Sequence, residues 1–349
     1  LIGYLGEINE EQLKRFKKAD YRPGDYLGKY GVEEKMEDYL KGIYGGKQIE
    51  VDALGRELEL LKKINPVQGS SIYLTIDLDT QIAARIAMKN KIGSVVALDP
   101  ANGRVIAFIS SPSFDPNIFS KGVSKGDWTE LINNPLHPLE NKPIQGQYPP
   151  ASTFKLITAA AALEEKIITS TTKIYSGETF RFGNRDFRDW KQGGHGTIDV
   201  HRAIVESADT FFYQVGLKVG VDRLAYYAKG FGFGQKTGIQ LTNEKKGLVP
   251  SSKWKKEVYK MPWYEGETIS VSVGQGYFLA TPLQMANAYA AISNGGKLFL
   301  PQIVESVEDI EGRVIWQFKA RETGIVPASK ETLDILKKAL YGVVHEDGG

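Results

Sequence analysis

The chain has 349 residues, and its 44 Lys and Arg against 42 Asp and Glu leave a net charge of +2, which gives no argument for a nucleic-acid partner. It contains no cysteine, which excludes disulfides, thiolate catalysis and cysteine-based zinc sites. The composition, with 42% hydrophobic residues, fits two or three globular domains, and no run approaches the length of apolar sequence that predicts a transmembrane helix.

The N-terminal region is rich in charge and predicts a small mixed domain. Amphipathic spacing predicts short helices over 10–18 and 32–40. Two strand-like runs, 48–51 and 56–61, flank a turn sequence and predict a β-hairpin. Residues 65–70, Asn-Pro-Val-Gln-Gly-Ser, are rich in residues that break regular structure, so we predict a linker there.

The remainder of the chain predicts an antiparallel sheet with helices around it. A strand over 72–76 and a helix over 79–88 come first. Strands over 94–98 and 104–109 flank a turn-rich loop and predict an antiparallel hairpin in the sheet. Further helices are predicted around 152–164, 209–217, 222–230 and 281–293. This mixture favours an α+β architecture, in which helices are segregated around an antiparallel sheet.

A serine and a lysine lie three residues apart at the start of the predicted helix 152–164, in the run Tyr-Pro-Pro-Ala-Ser-Thr-Phe-Lys. Positions i and i+3 share a helix face, so the amine of Lys155 can lie beside the hydroxyl of Ser152. Apolar neighbours would lower the pKa of that amine toward that of a working base. The pair predicts an activated serine nucleophile, although such pairs also occur on solvated helix faces.

A second serine is followed two residues later by an acid, in Ser207 and Asp209, directly before an aromatic helix. A Ser-x-x-Lys pair with a second serine motif is typical of penicillin-binding proteins and class A β-lactamases. The alternative interpretation is that Ser207 or Asp209 only caps the following helix. The two interpretations are compatible, because a capped helix end is a rigid place to hold a proton relay.

With both motifs, the chain resembles the class B penicillin-binding proteins of the elongation type. The segments that carry the resemblance follow the family's order along nearly the whole chain, at 72–77, 95–100, 111–117, 145–155, 188–196, 206–214, 232–234, 274–277 and 281–286. The resemblance implies an α+β penicillin-binding transpeptidase fold preceded by a mixed pedestal domain. It implies a peptidoglycan D,D-transpeptidase that uses no cofactor.

The resemblance also implies a role for each motif residue. Ser152 would attack the carbonyl of the penultimate D-Ala of a stem pentapeptide, release the terminal D-Ala and pass the acyl group to an amine of a neighbouring stem. Lys155 would be the general base for Ser152. Ser207 would relay the proton toward the leaving amine, and Asp209 would orient Ser207 or the substrate amide. β-Lactams would acylate the same serine.

By the same resemblance we expect the sequence to be incomplete at both ends. Residues 1–70 would be an N-terminally incomplete pedestal or dimerisation-type domain, and residues 71–349 a C-terminally incomplete transpeptidase domain. The family's third motif is expected after Gly349, because the Lys-Thr-Gly at 236–238 stands in a different context. The missing strand would supply one oxyanion-hole donor, worth about 2.7–4 kcal/mol, so these 349 residues alone are expected to be inactive.

Location and partners follow from the resemblance alone. A single anchor upstream of Leu1 would hold the protein in the inner (plasma) membrane, with the catalytic domain outside the cytoplasm. Its partners would be peptidoglycan stem peptides and β-lactam antibiotics. Through the pedestal, it would also meet a SEDS-family glycan polymerase and other elongation-complex proteins. A plain structural domain is the other interpretation of residues 1–70.

Two other functions remain open at this stage. A serine β-lactamase shares the motifs but hydrolyses its acyl-enzyme; the long N-terminal region and the lack of an obvious deacylation glutamate argue against it. A non-catalytic module could instead activate a membrane glycan polymerase through residues 1–70. That function would not depend on Ser152.

A metal site can also be considered in the glycine-rich loop around Asp189 and His195, with Asp186 and His201 nearby, since zinc accepts carboxylate and imidazole ligands. Some members of the resembling family complete such a site with a cysteine, at the position that is Ala208 here. Two dispersed ligands do not close a site, so no metal is predicted. The loop is expected to form a rigid edge of the active-site cleft.

Overall fold

The structure, a computed structural model, describes residues 1–15, 21–120 and 122–349. The strands are β1 (Leu5–Glu7), β2 (Tyr26–Gly28), β3 (Gly46–Val51), β4 (Glu57–Ile64), β5 (Ser71–Leu74), β6 (Gly93–Leu98), β7 (Val105–Ser111), β8 (Ile174–Ser176), β9 (Thr179–Phe182), β10 (Arg185–Arg188), β11 (Gly196–Ile198), β12 (Lys297–Phe299), β13 (Val304–Glu308), β14 (Val314–Gln317) and β15 (Glu322–Ile325). The helices are α1 (Glu10–Arg15), α2 (Gly31–Lys35), α3 (Glu37–Leu40), α4 (Leu78–Ala87), α5 (Asn117–Ser120), α6 (Lys125–Asn133), α7 (Lys142–Gln145), α8 (Lys155–Glu164), α9 (Val200–Val205), α10 (Asp209–Val219), α11 (Val221–Gly230), α12 (Ser252–Tyr259), α13 (Glu265–Ser272), α14 (Pro282–Ser293) and α15 (Lys330–His345).

The two predicted N-terminal helices differ in outcome. Helix α1 covers the first part of the predicted helix 10–18, and residues 16–18 lie outside the described part of the chain. The single helix predicted over 32–40 is wrong, because the chain leaves the helical conformation at Met36 and forms α2 and α3 instead. Of the apolar residues predicted to share one face of this helix, Val32 and Met36 are buried but Tyr39 and Leu40 are exposed, so packing does not hold one continuous helix together.

The predicted hairpins are confirmed. Strands β3 and β4 pair antiparallel, and Asp52 closes their turn by accepting hydrogen bonds from the amides of Leu54 and Arg56, both at 2.9 Å. Strands β6 and β7 also pair antiparallel, from Gly93 opposite Ser111 to Leu98 opposite Val105.

A separate sheet contains β5, β13 and β14, which pair antiparallel in the order β14-β13-β5. The amide of Val105 donates to Gln302 at 3.0 Å and ties β7 to the segment before β13. Val32 and Met36 pack in one apolar cluster with Phe108 of β7 and Val307 of β13, so the N-terminal helices share a core with both sheets. Antiparallel strands flanked by helices confirm the predicted α+β class.

A second apolar core lies among α8, α9, α10, α11, α14 and α15. The helices predicted over 209–217, 222–230 and 281–293 are confirmed as α10, α11 and α14. Helix α13 was not predicted, because its sequence Glu-Gly-Glu-Thr-Ile-Ser-Val-Ser has low intrinsic helix propensity. Its packing against α10 holds it instead, together with the hydrogen bond that the Tyr264 amide donates to the Glu267 carboxylate at 2.9 Å. In the described ranges, no helix has both the length and the apolar character needed to span a bilayer.

Candidate active site

Ser152 lies on a tight 3-10 turn, Ala151–Phe154, so the α-helix that was predicted to begin at Ser152 begins at Lys155. Packing of Phe154 holds the turn in place, because Phe154 is buried and its ring centroid lies 4.4 Å from that of Phe278. Ala151 has a left-handed backbone with φ of 52°, and its amide donates to Gly274 at 2.9 Å. The Ser152 side chain is exposed at the top of this turn.

Lys155 is 2% exposed, and its amine has a full set of acceptors. Nζ lies 2.6 Å from Asp209 Oδ1, 2.7 Å from the carbonyl oxygen of Ser207 and 3.1 Å from Ser207 Oγ. These three acceptors match the three hydrogens of an ammonium group. Burial lowers the pKa of Lys155, whereas the charges of Asp209 and Asp189 partly oppose that shift.

The predicted direct contact between the Ser152 hydroxyl and the Lys155 amine is not among the hydrogen bonds of the described residues. A buried ammonium has to pair with strong acceptors, and Asp209 and Ser207 provide them. A neutral amine has one hydrogen fewer and a free lone pair. Loss of a proton from Lys155 therefore releases one of the three acceptors and creates the proton acceptor that a serine nucleophile needs.

Ser207 occupies the left-handed position that ends helix α9, with φ of 53°. Its amide donates to Ile204 at 3.1 Å and the amide of Ala208 donates to Ala203 at 2.9 Å, which is the Schellman pattern. Glycine is the usual residue at this position, because a side chain is strained there. In this conformation both the carbonyl oxygen and Oγ of Ser207 contact Lys155 Nζ. The left-handed helix end was not predicted from sequence.

Asp209 is the first residue of α10, and the residue before it, Ala208, is the N-cap and makes no side-chain cap. The capping interpretation is therefore wrong for Ser207 and Asp209 alike. The cap comes from a distant residue: Asp189 Oδ2 accepts from the amide of Thr210 at 2.9 Å. Asp209 itself contacts Lys155. Among the hydrogen bonds of the described residues, none joins Asp209 to Ser207.

The loop before β11 carries the residues that were considered for a metal. The side chain of His195 is fully buried between Asp189, 3.0 Å from Nε2, and Glu206, 2.6 Å from Nδ1. Asp186 and His201 face other partners, Arg181 and Glu346. No group of three or more potential ligands within residues 1–15, 21–120 and 122–349 has a geometry that could hold a metal ion.

The Lys-Thr-Gly sequence at 236–238 lies in a loop between α11 and α12. Glu244 accepts hydrogen bonds from the Thr237 amide at 2.7 Å and from its hydroxyl at 2.6 Å. The segment is thus a structural turn rather than a strand that could bind a substrate carboxylate. This arrangement supports the prediction that residues 236–238 are not the third motif of the active site.

Replacing Asp209 with asparagine is expected to lower the pKa of Lys155 further, because the Asp209 charge opposes the effect of burial. If neutral Lys155 is the base, the acylation rate of the full-length protein rises with pH through that pKa. The rising limb should therefore move to lower pH in Asp209→Asn, as measured by benzylpenicillin acylation over a pH series. Asp186→Asn is the control, because Asp186 is exposed and pairs with Arg181. A limb that stays in place would contradict the assignment of Lys155.

Several residues that hold this site in place were not predicted from the sequence. Glu206 precedes the second motif and accepts from Arg202, four residues earlier on the same helix, at 2.5 Å. An acid one helical turn after an arginine is a recognisable signal for such a pair. The close approach of Gly274 to Ala151 could not be predicted from the sequence, because the two residues lie far apart in the chain.

Residues 93–349 match the protein family described as the penicillin binding protein transpeptidase domain, and residues 1–74 match the penicillin-binding protein dimerisation domain. The chain belongs to the penicillin-binding protein family. The resemblance to its elongation-type members, the penicillin-binding protein 2 group, is confirmed by individual relatives.

Among these relatives, the peptidoglycan D,D-transpeptidase MrdA of Escherichia coli K12 is 38% identical over 355 aligned residues. The alignment covers 100% of this chain and 56% of MrdA, so the chain spans little more than half the length of that relative. The solved complex of PBP2 and MreC from Helicobacter pylori contains a chain that matches with a TM-score of 0.88 at 32% identity, covering 100% of this chain and 63% of its own length. A chain of a peptidoglycan synthase complex that coordinates polymerization and crosslinking matches with a TM-score of 0.87 at 35% identity, covering 99% of this chain and 60% of its own.

Proposed function

We propose that the full-length protein is a peptidoglycan D,D-transpeptidase in which Ser152 forms the acyl-enzyme. The observation that carries this proposal is the buried amine of Lys155, which lies one turn from Ser152 and contacts both Ser207 and Asp209. A buried amine with a lowered pKa, next to a second hydroxyl and at the start of a helix, is suited to activate a serine.

The proposed reaction moves protons through these groups. Neutral Lys155 takes the hydroxyl proton of Ser152 as Oγ bonds to the carbonyl carbon of the penultimate D-Ala. The bond from that carbon to the terminal D-Ala nitrogen then breaks, and the proton reaches the leaving nitrogen through Ser207 Oγ. An amine of a second stem peptide attacks the ester carbon, gives up a proton by the same route and regenerates the Ser152 hydroxyl. Asp209 holds the Lys155 amine in place throughout.

We also propose the location and partners expected for this family. The protein would be anchored in the inner membrane, act outside the cytoplasm, and bind stem peptides and β-lactams. Residues 1–70 would serve as a pedestal that meets elongation-complex proteins, among them a SEDS-family polymerase, and residues 71–349 would belong to the transpeptidase domain. A row of exposed apolar side chains on β4, including Leu58, Leu60 and Ile64, supports a binding role for the pedestal.

The test is acylation of the full-length protein by benzylpenicillin, together with turnover of a stem pentapeptide. We expect one covalent adduct per chain without sustained penicillin hydrolysis, and release of D-Ala with formation of a cross-linked dimer. Rapid steady-state penicillin hydrolysis would instead identify a β-lactamase. The absence of both adduct and D-Ala release would favour the non-catalytic activator.

A further inference from the structure

A buried chain of hydrogen bonds spans the second motif from one side to the other. Glu206, the residue before the motif serine, contacts His195 Nδ1 through Oε2 at 2.6 Å. His195 Nε2 contacts Asp189 Oδ1 at 3.0 Å. Asp189 Oδ2 accepts from the amide of Thr210, the residue after the motif aspartate, at 2.9 Å. We name Glu206, His195 and Asp189 the buried bridge.

The bridge is enclosed and its polar groups are paired. The side chains of His195 and Asp189 have no accessible surface, and that of Glu206 has 7%. The Glu206 carboxylate also accepts from Lys191 Nζ at 2.6 Å and from Arg202 Nε at 2.5 Å. Burial acts to raise the pKa of Glu206, but the hydrogen bonds from Lys191, His195 and Arg202 outweigh it and lower that pKa to about 2.

The backbone from residue 206 to residue 210 lies between the two ends of the bridge and contains a strained residue. Ser207 holds a left-handed conformation, which persists in a residue with a side chain only when its surroundings impose it. The indole of Trp190 adds a further restraint by donating to the carbonyl oxygen of Glu206 at 3.0 Å. With residues 206 and 210 both fixed, the three residues between them have little freedom to relax.

We propose that the buried bridge is a positioning device for the second motif, which holds Ser207 and Asp209 against the Lys155 amine so that the proton relay is preorganised. The inference rests on the proposed function and adds three positioning residues to it. None of the three touches the substrate: Glu206 and Asp189 hold the backbone of residues 206–210, and His195 links them. The Asp189 charge also opposes the lowering of the Lys155 pKa, and Asp189→Asn removes that charge while keeping the hydrogen bonds. The bridge is formed by hydrogen bonds and charge pairs within the chain alone.

The test replaces Asp189 in the full-length protein. Asp189→Ala removes the acceptor for both His195 and the Thr210 amide, and we expect the first-order rate constant of benzylpenicillin acylation to fall about 10- to 100-fold. The dissociation constant of the noncovalent complex and the final amount of adduct should stay unchanged. Asp189→Asn should restore most of the rate, because its amide oxygen still accepts from Thr210 and its NH₂ group can donate to His195. Asp186→Ala, in the same hairpin region but outside the bridge, should react like the wild type.

Measuring the acylation rate constant and the final amount of adduct separately distinguishes an effect on positioning from an effect on folding. A bridge that served stability alone would lower the melting temperature and the reactive fraction but leave the rate constant of the reactive protein unchanged, and that result would overturn the inference. Should Asp189→Ala fail to fold, Glu206→Gln provides the same measurement with the side-chain shape kept. The Glu206 carboxylate contacts Lys191, His195 and Arg202, so the NH₂ group of the glutamine has to face a donor and breaks the bridge. An unchanged rate constant in that variant would equally overturn the inference. A wild-type protein that forms no adduct would overturn the proposed function itself, and this inference with it.

Discussion

Replacing Lys155 with methionine in the full-length protein is expected to slow acylation by benzylpenicillin by about 10²- to 10⁴-fold, the usual contribution of a general base. Methionine fills a similar space and removes the amine that contacts Ser207 and Asp209. Asp209 keeps 20% of its side chain accessible, so water can replace its lost partner and the fold should persist. Stopped-flow or quenched-flow measurement of adduct formation gives the rate.

Lys218→Met is the matched control for this variant. Lys218 lies on α10, the helix that carries Asp209, but it is exposed, so its replacement should leave the acylation rate unchanged. If Lys155→Met were acylated at close to the wild-type rate at neutral pH while remaining folded, another group would have to be the base. The roles assigned to Ser207 and Asp209 would then lose their basis as well.

Replacing Gly274 with alanine is expected to destabilise the protein by about 2–5 kcal/mol and to slow acylation by about 10²-fold. Gly274 has φ of 70°, and a Cβ there would lie 2.5 Å from the carbonyl oxygen of Ala151 and 2.6 Å from the Cβ of Phe154. Both atoms belong to the turn that presents Ser152, so the added methyl group has to push that turn out of place. Thermal unfolding and the acylation rate constant measure the two effects.

Gly276→Ala separates the two causes, because Gly276 has the same φ of 70° but its nearest foreign atom, the Cβ of Ser270, lies at 3.3 Å. Its free energy of unfolding should fall by about 1–2 kcal/mol, because alanine is strained in the left-handed conformation, and its acylation rate should change little. Equal acylation rates in the two variants would show that the contact between Gly274 and Ala151 does not position Ser152.

The parts of this structure that depend on local pattern could be predicted from the sequence. The hairpins β3–β4 and β6–β7 have strand-like runs around turn residues, and α14 begins with an N-cap threonine followed by proline. The break at Met36 and the weakly helical α13 could not be predicted, since tertiary packing decides both.

The candidate site divides in the same way. The spacing of Ser152 and Lys155 indicated a reactive pair, but spacing contains no information on which acceptor a buried amine selects. That choice depends on Asp209 and Ser207, which the fold brings to Lys155 from more than fifty residues away. The cap that Asp189 gives to α10 and the enclosure of His195 are long-range in the same sense. Sequence pattern therefore predicted the candidate reactive groups, whereas the residues that hold them in place required the structure.

The central claim is that Ser152 is the residue acylated. Peptide mapping by mass spectrometry of the full-length protein after reaction with benzylpenicillin tests it most directly. We expect a single modified peptide that contains Ser152, and no label in the Ser152→Ala variant. Label on a different serine, such as Ser207, or an unchanged amount of label in Ser152→Ala, would contradict it.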